Sequence, residues 1–430
     1  MKKVIVLSLV ACLSLNLFAQ EDENTTRKRH PSVKKAVGSV AQGKVKDVDL
    51  VDGFKHMFHD GKVSGQIRML YNNYQNDTYQ NTYATAIGGS LKYELAQYKG
   101  FSAAVGFHTS TDIDLLSGDG VKRDTELSSS DESYVVRSQS YINYNYEGLN
   151  VRVGRQIIDT PLADSDDIRM IPNSFEAAVV NYEYKSLMFM GGFLDKWQGV
   201  DAGLDDGWQD TGDKGTYFGG INYSEDTLEA NLWYYNINGV VDDETANDTV
   251  YGDIIGNYRV TKDLALHLGG QYLHQSENDK SGVEADIYGV MGEVVVKNLG
   301  INLAYNHAQK HAQKQSFSGF GGGTLFTNMD SMIIDAITRD RSADAYVGGI
   351  SYSLGDINFL YAYGDFKGDA DSLGIQEHIV EQDIGVEYSK DDDFTLAAIY
   401  TINDDKYNNT QTGINGGDWG NLRIFAAYNF

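Results

Sequence analysis

The sequence has very few cysteines and prolines. Among its 430 residues there is one cysteine, Cys12, and there are three prolines. One cysteine cannot build a disulfide framework. Scarce proline suits a chain of many strands, because proline lacks the backbone donor that a sheet requires. Two of the prolines, Pro161 and Pro172, fall in residues 158–173, a stretch in which apolar and polar residues do not alternate.

The chain also lacks long apolar segments and an excess of basic residues. After residue 19, no run approaches the ~20 apolar residues that a spanning helix needs, and the mean hydropathy is −0.38. These features exclude a helical membrane protein. The sequence contains 35 Lys and Arg against 61 Asp and Glu, a formal net charge of −26. Such a charge argues against a nucleic-acid partner.

The N-terminus has the pattern of a secretory signal peptide over residues 1–19. Two lysines precede an apolar run that ends at Phe18, and the small residue Ala19 stands before the expected cleavage site. An alternative is a lipoprotein processing box over residues 9–12, although it would leave a very short apolar region. Cleavage after Ala19 would remove the only cysteine.

Residues 20–61 are polar and carry charges of both signs, with a basic cluster over residues 27–35. We interpret this segment as a solvated leader on the periplasmic side. Apolar residues at helical spacing predict a short amphipathic helix over residues 48–58.

From Lys62 onward, apolar and polar residues alternate with the period of two that is typical of β-strands. The pattern predicts eighteen strands, with boundaries uncertain by about two residues. The predicted strands cover residues 62–74, 83–96, 99–110, 134–146, 149–157, 174–184, 187–197, 214–224, 227–238, 248–260, 264–275, 284–296, 299–309, 343–353, 356–367, 380–389, 393–403 and 420–430.

The connections alternate between turns of two or three residues and long polar loops. A soluble sandwich has no reason to place every short turn on one side. An outer-membrane barrel does, because it has short periplasmic turns, long external loops and an even number of strands. We therefore predict an all-β fold class, a transmembrane antiparallel β-barrel over residues 62–430 in the outer membrane of a Gram-negative bacterium.

Tyrosines collect beside the short turns on the inferred lipid face. They are Tyr93, Tyr144, Tyr146, Tyr182, Tyr184, Tyr223, Tyr258, Tyr352 and Tyr388. Their position indicates an aromatic girdle at the periplasmic rim, although tyrosine is a good strand former anywhere. The last predicted strand ends in Phe430, which resembles the C-terminal signal that outer-membrane barrels present to the insertion machinery.

The stretch over residues 158–173 mixes acidic and basic side chains between two strands. Its candidate site residues are Asp164, Asp166, Asp167 and Arg169, and Arg155 lies just before it. We predict that this third loop folds into the barrel and narrows a water-filled channel. An ordinary acidic surface loop is the alternative.

Strand parity places several arginines on the inner wall of the predicted barrel. The candidates are Arg68, Arg137, Arg152 and Arg423. Guanidinium groups suit carboxylates, and the acidic third loop opposite them would orient dipolar solutes. The alternative is that wall arginines pair with inward acids such as Glu94 and Glu183 and only solvate the lumen.

The external loops are rich in aspartate, and hard oxygen ligands suit Ca²⁺. Bound divalent cations would also link these loops to anionic lipopolysaccharide. No stretch matches the twelve-residue calcium loop, so a solvated rim is the favoured interpretation and no cofactor is required.

Several motifs resemble known porins. Residues 153–156 (VGRQ), 160–162 (TPL), 167–172 (DIRMIP) and 175–176 (FE) resemble the third-loop region of OprD-type substrate-specific porins. Residues 61–68 (GKVSGQIR) resemble the first strand of the porins of Campylobacter-type bacteria.

The resemblance implies an eighteen-stranded, trimeric channel whose third loop lines the constriction and whose wall carries a basic ladder. Proteins of this type pass small carboxylates, amino acids or peptides, some with little selectivity. Among the candidate ladder residues, Arg68 and Arg169 lie within the matching motifs.

Together these patterns predict a porin that lets small hydrophilic solutes diffuse passively through the outer membrane. The alternatives are a non-selective or cation-preferring diffusion porin and a non-conducting, adhesin-like barrel. We do not expect an enzyme. The nine histidines are scattered, and no serine lies in a nucleophile elbow.

Overall fold

The computed structural model describes residues 50–77, 79–128, 133–239, 245–391, 393–407 and 417–430. The predicted signal peptide and the basic cluster of the leader lie outside these residues. Among the described residues, no helix is both long enough and apolar enough to cross a membrane.

The described chain consists of one α-helix, nineteen strands and three short 3₁₀ turns. The helix, α1, is Leu50–His59. The strands are β1 (Lys62–Asn76), β2 (Thr82–Glu94), β3 (Phe101–Asp112), β4 (Ser133–Tyr146), β5 (Leu149–Gln156), β6 (Ser174–Tyr184), β7 (Leu187–Gln198), β8 (Gln209–Asp210), β9 (Thr216–Glu225), β10 (Leu228–Ile237), β11 (Asn247–Thr261), β12 (Leu264–Glu277), β13 (Ala285–Val296), β14 (Leu299–Ala308), β15 (Ala343–Leu354), β16 (Ile357–Gly368), β17 (Glu377–Lys390), β18 (Phe394–Asp405) and β19 (Trp419–Asn429).

Eighteen of these strands form a closed antiparallel barrel, and β8 is a short extra strand that pairs with the end of β7. Each barrel strand pairs with its neighbour in sequence, and β1 pairs with β19 from Gln66 opposite Asn429 to Asn76 opposite Trp419. The prediction of an eighteen-stranded barrel is confirmed. Closure leaves no free sheet edge, which a strand in a bilayer could not tolerate.

Apolar side chains cover the outer face of the barrel. Every second residue in the middle of the strands is exposed and apolar, as in Ile254 of β11, Leu268 of β12, Val290 of β13 and Leu303 of β14. Their neighbours in sequence point inward and are mostly buried. This alternation is the one expected of a barrel whose outer face contacts lipid.

Two long connections fold into the barrel. The loop between β5 and β6 (residues 157–173, the third loop) buries five apolar side chains, those of Ile158, Leu162, Ala163, Met170 and Ile171, and many residues of the β14–β15 loop (residues 309–342) are buried as well. Ile158, Leu162 and Ala163 join the β14–β15 loop in one hydrophobic cluster with inward residues of β6 to β18. Met170 and Ile171 belong to a second cluster, with Leu70 of β1 and Phe425 of β19. The prediction of an inward third loop is confirmed. The inward position of the β14–β15 loop was not predicted.

A β-bulge in β4 makes part of this strand point its side chains opposite to the predicted directions. The register between β3 and β4 shifts between Gly106 and His108, where β4 contains one extra residue. As a result, Val136 and Tyr141 are both buried although an odd number of positions separates them. Arg137 is exposed on the outer face. The prediction that Arg137 faces the lumen is therefore wrong.

The β2–β3 connection also differs from the predicted two-residue turn. It spans residues 95–100, and α1 packs against it. The Ala96 N–H donates a hydrogen bond of 3.0 Å to the Met57 carbonyl. Gly53 lies so close to the Tyr98 ring that a Cβ at this position would come within 2.4 Å of it.

Candidate channel constriction

The third loop is held inside the barrel by backbone contacts with the β14–β15 loop. The Phe320 N–H donates to the Leu162 carbonyl at 2.8 Å, and the Asp164 N–H donates to the Phe320 carbonyl at 3.1 Å. The Leu162 N–H also donates to the Tyr235 hydroxyl at 3.3 Å. Each inward loop thus satisfies backbone groups that the other would leave unpaired in the barrel interior.

Arg68 of β1 connects the wall to the third loop. Its guanidinium forms an ion pair of 2.7 Å with Asp167 and also donates to the Arg169 carbonyl. Its Nε donates to Gln66 at 2.6 Å, and the group lies 5.0 Å from the centre of the Phe425 ring. The side chain is only 5% exposed, so Arg68 positions the loop more than it faces water.

Arg169 of the third loop lies among three carboxylates. Its guanidinium is 3.2 Å from Glu126, 3.7 Å from Asp166 and 3.8 Å from Asp201. Glu126 and Asp201 come from the second and fourth external loops. This group of four charged side chains therefore comes from three external loops, and its three carboxylates outnumber its one guanidinium.

Two carboxylates of the third loop have perturbed acidity. Burial, followed by the negative charge of Asp201, raises the pKa of Asp166 to about 7. Burial and the nearby Asp159 also raise the pKa of Asp164 well above its ordinary range. Removing a carboxylate from water disfavours its charged form. Part of the negative charge of the third loop therefore depends on pH near neutrality.

Arg423 of β19 pairs with Asp330, which the β14–β15 loop carries to the wall. Asp330 also accepts a hydrogen bond of 2.8 Å from Thr401. The fully buried wall residues Glu381 and Asp383 bind the same loop, since the Ser331 N–H donates to Glu381 at 2.9 Å.

A small pocket of about 20 Å³, with room for about one water molecule, lies beside the Arg423–Asp330 pair. Its lining is mainly apolar, with Leu70, Ile168, Ala397, Ile399 and Phe425 around the two charged side chains. It combines an apolar surface with a guanidinium that already has a carboxylate partner.

Two further predicted site residues lie on β5. The guanidinium of Arg152 stacks over the Tyr141 ring at 4.4 Å, and its Nε is 3.4 Å from the Asn143 side-chain oxygen. In the described part of the chain, no ion pair joins it to a carboxylate. Arg155 pairs with Glu176 at 3.0 Å and lies 4.1 Å from the Trp208 ring.

The structure thus brings Arg68, Asp166, Asp167, Arg169 and Arg423 together with the inward loops, and places Arg137 outside. The arginines pair mainly with loop acids. The predicted wall partners Glu94 and Glu183 do not serve them: Glu94 pairs with Lys92 at 3.2 Å, and Glu183 is exposed.

Sequence reasoning missed Glu126, Asp201 and Asp330 as members of this cluster. Each lies in a long loop, and strand parity carries no information about loops. The only signal in the sequence was the mixture of acidic and basic residues in the third loop, and it identified one of the loops involved.

The acidic external loops offer carboxylate oxygens that suit Ca²⁺. No group of three or more His, Cys, Asp or Glu side chains among the described residues is arranged to hold a metal ion. Asp210 pairs with Lys196 at 3.0 Å, and Asp404 pairs with Lys406. Asp242, Asp243 and Glu244, acidic residues of the β10–β11 loop, lie outside the described residues.

The chain has the fold of outer-membrane porins. The barrel of Acinetobacter baumannii OccAB4 matches with a TM-score of 0.71 at 15% identity, over 86% of this chain and 98% of that one. Pseudomonas aeruginosa OpdK, solved with vanillate, matches with a TM-score of 0.70 at 15% identity, over 87% and 99%. A BenF-like porin from Pseudomonas fluorescens Pf-5 matches with a TM-score of 0.72 at 13% identity, over 87% and 99%.

These structures are OprD-family porins, so their architecture is the one that the third-loop motifs indicated. No protein-family model and no curated protein sequence matches the chain. At 13–15% identity the likeness concerns the fold.

Proposed function

We propose that this protein is an outer-membrane channel, not an enzyme, through which small hydrophilic solutes diffuse passively. The observation that carries the proposal is a closed barrel, apolar outside, whose interior holds a charged cluster built by inward loops. A barrel of this strand number is wide enough for an aqueous path. Charged groups at a constriction select solutes by their charge.

The charge pattern favours cations over anions. Arg68, Arg155 and Arg423 each have a carboxylate partner, and Arg169 has three carboxylates within 3.8 Å. An anion entering the cluster must displace one of these carboxylates. A cation meets carboxylates that the arginines only partly neutralise. The cation-preferring diffusion porin therefore fits this lumen better than an anion-selective ladder does.

A second candidate is a channel for small carboxylates. The pocket beside Arg423 has the apolar lining and the guanidinium that an aromatic carboxylate would use, and OpdK was solved with vanillate. Binding would require Asp330 to release Arg423 and the pocket to widen well beyond its volume of about 20 Å³. Of the two candidates, this one needs the larger rearrangement.

Reversal potentials across a planar bilayer in a salt gradient test the proposal. We expect the purified protein to conduct and to prefer cations. Arg152→Ala should shift the permeability ratio further toward cations, because it removes a wall cation that has no carboxylate partner.

Arg137→Ala is the matched control, since it removes an arginine from the outer face of the neighbouring strand β4, outside the lumen. It should leave the permeability ratio unchanged. Absence of conductance would favour the plugged, adhesin-like barrel, and anion preference in the parent protein would favour the carboxylate channel. Trimer formation and contact with lipopolysaccharide stay predictions.

A further inference from the structure

Helix α1 has an exposed apolar side beside the periplasmic rim. Val51, Phe54 and Phe58 are 58%, 51% and 59% exposed, although all three are large and apolar. Met57, on the same helix, is buried. The apolar residues are therefore divided between a packed side and an open side.

The sides of α1 follow a fixed order around its axis. With about 100° between successive residues, Gly53 and Met57 form the side that packs on the barrel. Val51, Phe54 and Phe58 lie about 110° away on one flank. The charged and polar residues lie on the other flank: Asp52, Lys55, His56 and His59.

This helix rests against the outward, lipid-facing side of the wall. The Tyr93 hydroxyl of β2 donates to the Phe58 carbonyl, and Tyr93 belongs to the aromatic girdle beside the short turns. Nearby outward residues are apolar and exposed, including Val63 at 60% and Leu91 at 53%. The open flank of α1 therefore continues the apolar surface of the barrel.

We propose that α1 is an interfacial anchor whose Val51–Phe54–Phe58 flank inserts into the periplasmic leaflet of the membrane that holds the barrel. A helix with one apolar and one charged flank lies in the interface plane, with its apolar side about 5–10 Å into the headgroup boundary. Packing on the wall fixes the rotation of α1, so that the apolar flank faces lipid and the polar flank faces water. The occupant of this surface is the lipid bilayer.

Quenching by brominated phospholipid tests the proposal in the full-length protein. Single cysteines are introduced by Phe58→Cys and by His59→Cys, and each is labelled with an environment-sensitive fluorophore in vesicles of brominated or ordinary phosphatidylcholine. The sequence contains no cysteine after Cys12, so each label is specific within the described chain. We expect several-fold stronger quenching at position 58 than at position 59.

Leu91→Cys, on the lipid face of β2, is the positive control. Strong quenching there with none at position 58 would overturn the anchor while leaving the channel proposal intact. A blue-shifted but unquenched label at position 58 would also overturn it, because a second copy of the chain would then cover this flank. Absence of quenching at position 91 would contradict both proposals, since the barrel itself would not contact lipid.

Two double variants distinguish a loss of membrane anchoring from a loss of folding. Phe54→Ser with Phe58→Ser should abolish the lipid quenching of a label placed by Val51→Cys. Lys55→Ser with His59→Ser should not. Both variants should keep the parent conductance, because α1 lies outside the lumen. Persistent quenching in the double-serine variant of the apolar flank would count against the proposal.

Discussion

Asp166 lies in a conformation and an environment that are both unusual for aspartate. Its φ is +39°, in the left-handed region that Asp and Asn tolerate better than most residues. Its carboxylate is near both Arg169 and Asp201, and burial with that second carboxylate raises its pKa to about 7. The charge of the third loop can therefore change within the pH range of ordinary media.

We expect the cation preference of the channel to weaken as the pH falls from 8 to 6. The unfolded chain loses this proton near pH ~3.9, whereas the folded protein keeps it to about pH 7. The folded state therefore binds more protons between these values, and the free energy of unfolding falls as the pH rises through this window. Above the window, Asp166 is charged and attracts cations.

Reversal potentials measured at several pH values check this expectation. Asn tolerates the left-handed backbone conformation as Asp does, but its side chain does not ionise. Asp166→Asn should therefore flatten the pH dependence of the permeability ratio between pH 6 and pH 8. Asp167→Asn is the control, because Asp167 is half exposed and pairs with Arg68. An unchanged pH profile in Asp166→Asn would contradict the assignment.

At the scale of elements, the interior depends on two loops that support each other. Phe320 is 3% exposed, its ring lies 5.5 Å from Trp197 and 5.3 Å from Phe317, and its backbone pairs with the third loop. Asp330 then fixes the far part of the same loop to Arg423. The proposed constriction is therefore built from both loops.

We expect Phe320→Ala to loosen both loops without unfolding the barrel. Truncating a buried phenylalanine typically costs about 3–5 kcal/mol, and the backbone pairing of the wall strands does not involve this ring. Single-channel recordings should show noisier and larger currents, and limited proteolysis should cut within residues 309–342 more readily.

Leu373→Ala, at a position that is 80% exposed in another external loop, should change neither readout. Currents from Phe320→Ala that match the parent in size and noise would show that the two loops do not shape the pore together.

The strands were predictable because period-two alternation is a local property. All eighteen predicted strands lie within three residues of the observed boundaries. Arg137 was misplaced because one extra residue in β4 reverses the alternation, and no local pattern marks that bulge. The Arg423–Asp330 contact joins residues 93 positions apart, so it depends on the path of a long loop and not on a local pattern.

At the scale of the whole molecule, the seam between β1 and β19 decides whether there is a barrel. Outward residues Ile67 and Tyr428 are directly opposite each other across this seam. Opposed residues of antiparallel strands have Cα atoms about 4.5–5.5 Å apart, which a disulfide can bridge.

We expect the double variant Ile67→Cys with Tyr428→Cys to form an intramolecular disulfide on oxidation. Denaturing electrophoresis without reductant should show faster migration of the linked chain. Ile67→Cys with Ile424→Cys is the matched control, because Ile424 pairs with Tyr71 and is four residues out of register with position 67. Efficient cross-linking in the control would mean that the register of the seam differs.

The seam also sets the order of assembly. It joins Gln66 to Asn429, which are 363 positions apart in sequence, whereas every other barrel strand pairs with the next one along the chain. Bringing such distant strands together has the largest loop-closure entropy in the molecule. Hairpins can therefore form one after another during export, but a sealed wall arises only in the final step. A partly assembled barrel should therefore expose two unpaired sheet edges, to which chaperones can bind, and should not form a partial pore.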